Sequence, residues 1–99
     1  MEINKKIDGS KMEVSLSGRL DTTTAPELEK SLKESLGGIT ELTLDFTGLE
    51  YISSAGLRVL LSAQKAINAA NGTMTIVGAN DIVKEIFDVT GFSDILTIL

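Results

Sequence analysis

Polar and apolar residues alternate without a break over Met12-Glu13-Val14-Ser15-Leu16-Ser17. A period of two is the signature of a strand with one face in a core. The pattern predicts strands over residues 2–7 and 11–17, and Asp8-Gly9 between them predicts a tight hairpin with antiparallel pairing. Alternation returns over residues 41–46, where Leu42, Leu44 and Phe46 share a face. Thr47-Gly48 is expected to end that strand, with residues 49–52 as a connection. Residues 73–77 predict a fourth strand, and Ile95 to Leu99 a last short strand or a tail with a helical end.

Between the strands the apolar spacing changes to the helical one. Ala25, Leu28, Leu32 and Leu36 fall on one face of a helix that begins after Asp21 and stops at Gly37-Gly38. Thr24 with Glu27 fits a capping box, and Pro26 suits the first turn, where a missing N–H costs little. From Ser54, a second face runs through Leu57, Leu60, Leu61, Gln64 and Ile67. Ala63, Ala66, Ala69 and Ala70 predict close packing of this helix, which ends at Asn71-Gly72. A third helix, capped by Asn80 or Asp81, carries Ile82, Val83, Ile86 and Phe87 to about Val89, and Gly91 closes it. The order ββαβαβα, followed by a short strand or helical end, places the chain in the α/β class. Each strand–helix–strand unit implies a right-handed crossover. The expected architecture is one domain, residues 1–99, with a mixed, mostly parallel sheet of four to five strands and helices packed on it.

Composition narrows the chemistry. The chain has no cysteine and no histidine, so disulfides, thiolate metal sites and the commonest general base are all absent. No metal or cofactor is expected. With three Phe, one Tyr and no Trp, there is no stacking platform for single-stranded nucleic acid. A net charge of −5 without a basic cluster argues against nucleic acid and anionic membranes as partners. Neither a leader nor a membrane span is legible, so the expected location is the cytoplasm.

Ligands and partners of such sheets gather beyond the carboxyl ends of the parallel strands. That places Asp21, Ser53, Ser54 and Asn80 on one expected rim. Asp21 has a plain reading, a loop carboxylate bonding the backbone of Thr23 or Thr24, and a functional one, a charge beside a reactive hydroxyl. Asn80 reads as a cap. Either Ser53 or Ser54 can cap the second helix, and spacing alone favours that role over a chemical one. It still leaves a spare hydroxyl where unpaired N–H groups stabilise an added phosphate. Nucleophilic catalysis is disfavoured: no histidine can activate a serine, and Ser53-Ser54-Ala55-Gly56 is not the G-x-S-x-G elbow of hydrolases. An enzyme is not expected.

Three stretches in order, Ser17-Gly18-Arg19-Leu20-Asp21, Leu42-Thr43-Leu44-Asp45-Phe46 and Tyr51-Ile52-Ser53-Ser54-Ala55-Gly56-Leu57-Arg58, resemble the STAS domain family. Within it the chain is similar to the bacterial anti-sigma factor antagonists, over nearly its whole length. The resemblance implies a partner-switching protein. Unphosphorylated, it binds an anti-sigma factor that is also a serine kinase and so frees a sigma factor. Phosphorylation of one serine breaks the complex, and a metal-dependent serine/threonine phosphatase resets it. By position the acceptor is Ser54, with Ser53 as the other candidate. Asp21 matches the family's acidic residue after the second strand; the expected partner surface is the rim with the first turn of the second helix, Asp21, Thr22, Ser53, Ala55, Gly56 and Arg58, whose small residues let a partner approach, and a free monomer is the default expectation. The sequence departs from many members in carrying Ser53 where they have aspartate. The competing expectation is a STAS scaffold without phosphorylation, in a transporter, a lipid-trafficking assembly or another signalling complex.

Overall fold

The computed structural model describes residues 1–99. Its elements are β1 (Glu2–Asp8), β2 (Lys11–Leu20), α1 (Ala25–Ser35), β3 (Glu41–Ile52), α2 (Ser54–Ala69), β4 (Thr73–Val77), α3 (Asp81–Thr90), a 3-10 turn (Phe92–Asp94) and β5 (Thr97–Ile98). The five strands lie side by side in chain order. β1 pairs antiparallel with β2, and every later pair is parallel. The hairpin forms one residue later than Asp8-Gly9 suggests. Asp8 pairs with Lys11, so Gly9 and Ser10 make the turn, and Gly9 takes φ 62°.

Parallel strands added in chain order by right-handed crossovers place every helix on the same face of the sheet. Burial agrees: Met12, Val14, Leu16 and Leu20 of β2 and Leu42, Leu44 and Phe46 of β3 are buried, with the residues between them outside. One apolar core joins this face to Leu28 and Leu32 of α1, Leu57, Leu60 and Ile67 of α2, and Val83 and Phe87 of α3. The Phe46 and Phe87 rings stack across it with centroids 6.4 Å apart. The opposite face is polar, with Glu13, Ser15, Thr43 and Asp45 along it.

β2 and β3 both run past their expected ends. β2 continues to Leu20, and residues 49–52 are strand rather than connection. The pairing slips twice, between Ser15 and Ser17 and between Gly18 and Arg19, and each time β3 supplies one extra residue. Phe46, Leu49 and Ile52 are thus all buried although they stand three apart. A bulge breaks the period of two while keeping the side chains on one face. Gly48 sits at the first slip, where a Cβ would come 2.9 Å from that of Ser17.

The helix expectations need three corrections. The capping box does not form: Thr24 makes no side-chain cap bond to α1, because its hydroxyl donates to the Arg19 carbonyl at 2.8 Å and accepts from the Asp21 N–H at 2.8 Å. Of Ala63, Ala66, Ala69 and Ala70 only Ala63 is buried, and Leu61 is half-buried, because α2 packs on the sheet below and on α1 at one flank. Ile82 is 58% exposed at the edge of the apolar arc of α3, which turns Val83 and Phe87 inward. No helix is long and apolar enough to cross a membrane.

Candidate functional site

The site begins with the unequal lengths of the strands. β3 pairs with β4 only as far as Asp45, but with β2 as far as Ile52. The ends of β2 and β3 therefore project together beyond the rest of the sheet. Leu20 pairs with Ile52, and the Ser53 N–H donates to the Leu20 carbonyl at 2.9 Å. This bond holds the start of α2 beside the turn that opens at Asp21.

Asn80 stands one step lower. Its amide donates to the Leu49 carbonyl at 3.1 Å and the Glu50 carbonyl at 3.4 Å, and its Oδ1 accepts the Val83 N–H at 2.8 Å. It caps α3 and fastens that helix to the projecting strand. The expected common rim is stepped: Asp21, Ser53 and Ser54 share the upper edge, and Asn80 lies below it.

The two serines divide their work. Ser53 has extended backbone, φ −99° and ψ 174°, and its Oγ accepts the Gly56 N–H at 3.4 Å. It is the N-cap of α2. Ser54 is the first helical residue, exposed, and its hydroxyl makes no hydrogen bond. Gly56 is buried, and a Cβ there would meet Leu20 Cγ at 2.7 Å and Ile52 Cγ1 at 2.8 Å. Its missing side chain is what seats the helix end on the two projecting strands. Leu57 is core, and Arg58 is exposed.

Asp21 is organised by its own turn. Its Oδ1 accepts the Thr23 N–H at 3.0 Å, the Thr23 hydroxyl at 2.7 Å and the Thr24 N–H at 3.1 Å. The Thr23 hydroxyl first, and then the Thr24 N–H, hold the carboxyl below the ordinary range. Asp45 repeats the device: the Thr47 hydroxyl at 2.6 Å and the Thr47 N–H at 2.9 Å lower its pKa. Folded values below the unfolded 3.8 contribute stability above that pH, and the contribution is lost as pH falls through the folded values. Replacing both Asp21 and Asp45 by Asn should flatten the acid side of the stability curve. Urea midpoints compared at about pH 5 and about pH 3 check this; an unchanged acid slope would contradict it.

Thr22, Ala55 and Arg58 line one groove between α1 and α2, together with Pro26, Glu29 and Val59. It continues along the helices past Leu32, Leu36, Ala63 and Ala66. Glu29, Pro26, Val59 and Ser62 were not among the sequence candidates. A signal existed: Ala55, Val59, Ser62 and Ala66 form an i, i+4, i+7, i+11 row beside the core face of α2. Apart from the Ser62 hydroxyl that row is aliphatic and uncharged, so it reads as helix surface. Groups of His, Cys, Asp and Glu that could hold a metal ion are not found.

The STAS domain family model matches residues 2–99. An anti-sigma-B factor antagonist of Listeria monocytogenes is 30% identical over 96 residues, which is 95% of this chain and 83% of the relative. Among solved structures, an anti-sigma factor antagonist from Mycobacterium paratuberculosis superimposes with a TM-score of 0.86 at 21% identity, covering 98% of this chain and 83% of the other. The Bacillus cell fate determinant SpoIIAA, solved in a phosphorylated form, gives 0.77 at 15% identity over 99% of this chain and 91% of the other.

Proposed function

This chain belongs to the STAS domain family, and from that premise we propose that it is an anti-sigma factor antagonist that acts by partner switching. In its unphosphorylated form it binds an anti-sigma factor that is also a serine kinase, releasing a sigma factor. Phosphorylation of Ser54 ends the complex, and a metal-dependent serine/threonine phosphatase restores it. The work is done in the cytoplasm by a domain that carries no catalytic group of its own. The Listeria relative, an anti-sigma-B factor antagonist, and the phosphorylated form of SpoIIAA support this reading.

The observation that carries it is the division of labour between adjacent hydroxyls. Ser53 is engaged as the cap, and Ser54 is free and exposed one residue later. A kinase needs an acceptor oxygen that is not already bonded and that lies on an accessible surface. Ala55, the next residue, lines the α1–α2 groove with Thr22 and Arg58, and Asp21 adds a carboxylate held ionised by Thr23 and Thr24. Gly56 lies beneath, where it seats the helix.

The test is phosphosite mapping after incubation with ATP and the anti-sigma serine kinase that co-purifies with this protein from its native cell. The expected product carries one phosphate, on Ser54. Phosphate on Ser53 alone would reverse the assignment, and phosphate on neither serine would return the unphosphorylated scaffold as the better reading.

A further inference from the structure

Arg58 stands one helical turn after Ser54, and the phosphate proposed for Ser54 would need a counter-charge. In an α-helix, residues four apart share a face, with Cβ atoms about 5–6 Å apart. Each Cα–Cβ bond tilts toward the helix N-terminus, so a long side chain lies back over the preceding turn. The turn preceding Arg58 is the one that begins at Ser54. Arg58 is exposed and makes no ion pair; the two pairs in the molecule are Lys11–Glu41 and Glu29–Lys33. Glu29 lines the same groove as Arg58 but is already held by Lys33 at 3.1 Å. Arg19, the other arginine, lies with its guanidinium 4.6 Å from the centroid of the Tyr51 ring.

We propose that Arg58 is the intramolecular receptor for phosphate on Ser54, an inference that rests on Ser54 being the acceptor. A phosphate on this first helical residue brings about −1.5 to −2 charges and three acceptor oxygens. The guanidinium fork pairs two of those oxygens in a geometry that a lysine ammonium cannot match. Arg58 then has two roles. In the unphosphorylated protein it is free for a carboxylate of the partner. In the phosphorylated protein it is occupied from within. Phosphorylation thus adds an anion to the surface and withdraws a cation from it in one step.

The charges around position 54 set the expected sign. Arg58 lowers the second pKa of the phosphate, whereas the carboxylates of Asp21 and Glu29 raise it. Arg19 lies with Tyr51 on the sheet face away from the helices, opposite buried Leu20 and Ile52, and Lys65, eleven residues along α2, is about 16 Å away along the axis, beyond the screening length of physiological salt. Phosphoserine installed at position 54 during translation makes the measurement independent of any kinase. Phosphorus NMR titration should show the second pKa higher in Arg58→Gln than in wild type by about half a unit, with Arg58→Lys in between and Lys65→Gln unchanged. A rise of about 0.2 units or more in Arg58→Gln upholds the pair, and a smaller one overturns it. Thermal melts of the phosphorylated and unphosphorylated forms supply the second readout: Arg58→Gln should lower Tm more in the phosphorylated form, and an equal change in both would contradict the pair. Kinase mapping that misses Ser54 overturns the acceptor assignment and leaves the titration as it stands, so the two failures are separable.

Discussion

Ser54→Asp should bind the anti-sigma kinase proposed as its partner about a hundredfold more weakly than the wild-type chain does. The argument starts from the small side chains that surround the position. Ser53, Ala55 and Gly56 let a partner's backbone come close to the helix end. Close approach strips water from the added carboxylate, and whatever pairing it finds with Arg58 takes that cation from the partner, so either way several kcal/mol are lost. A penalty of about 3 kcal/mol is already more than a hundredfold in affinity. The exposed first turn of α2 tolerates the substitution, because an acidic side chain there complements the helix dipole. Folding should be undisturbed while binding is lost. Ser54→Ala should bind like wild type and resist release by ATP, since it offers no acceptor. Calorimetric titration of both variants against the purified kinase is the check. Equal affinities for Ser54→Asp and wild type would eliminate exclusion by charge.

Most of the architecture was legible because strand and helix periods are robust to context. Leu42, Leu44 and Phe46 announce one buried face, and Leu57, Leu60 and Ile67 another, and all six are buried in one core. The distal halves of β2 and β3 were not legible for a physical reason. A bulge replaces the period of two by a spacing of three, as at Phe46, Leu49 and Ile52, and a spacing of three mimics a turn or a helix. This misreading hid the feature that builds the site, the projection of two strands beyond the sheet. The Thr24–Glu27 box failed for a different reason. The Thr24 hydroxyl has better partners in the Asp21 turn, and a local motif cannot show that competition. The two serines show the limit from the other side. Spacing favours a cap at one of the two, and the extended backbone of Ser53 with its bond from the Gly56 N–H shows which.

Gly56 links this geometry to stability, and Gly56→Val should lower the melting temperature by roughly 12–24 °C, through a loss of about 3 kcal/mol. The Cβ of any replacement would sit 2.7 Å from Leu20 Cγ and 2.8 Å from Ile52 Cγ1, and both neighbours are fully buried. The atoms met are mid-chain carbons of fully buried side chains rather than flexible ends, and each residue closes the end of a projecting strand. Relief must come from lifting α2 off β2 and β3. That movement would stretch the Ser53 N–H bond to the Leu20 carbonyl and carry the serines away from Asp21. Gly56→Ala should lose less, because the better helix propensity of alanine offsets part of the strain. Gly37→Ala is the matched control, since a Cβ there has nothing within 4 Å and φ is not positive. Calorimetric melts of the three variants decide the matter. A Gly56→Val protein that melts with wild type would mean that the helix end is not seated on those strands, and the placement of the α2 start beside the ends of β2 and β3 would lose its structural cause.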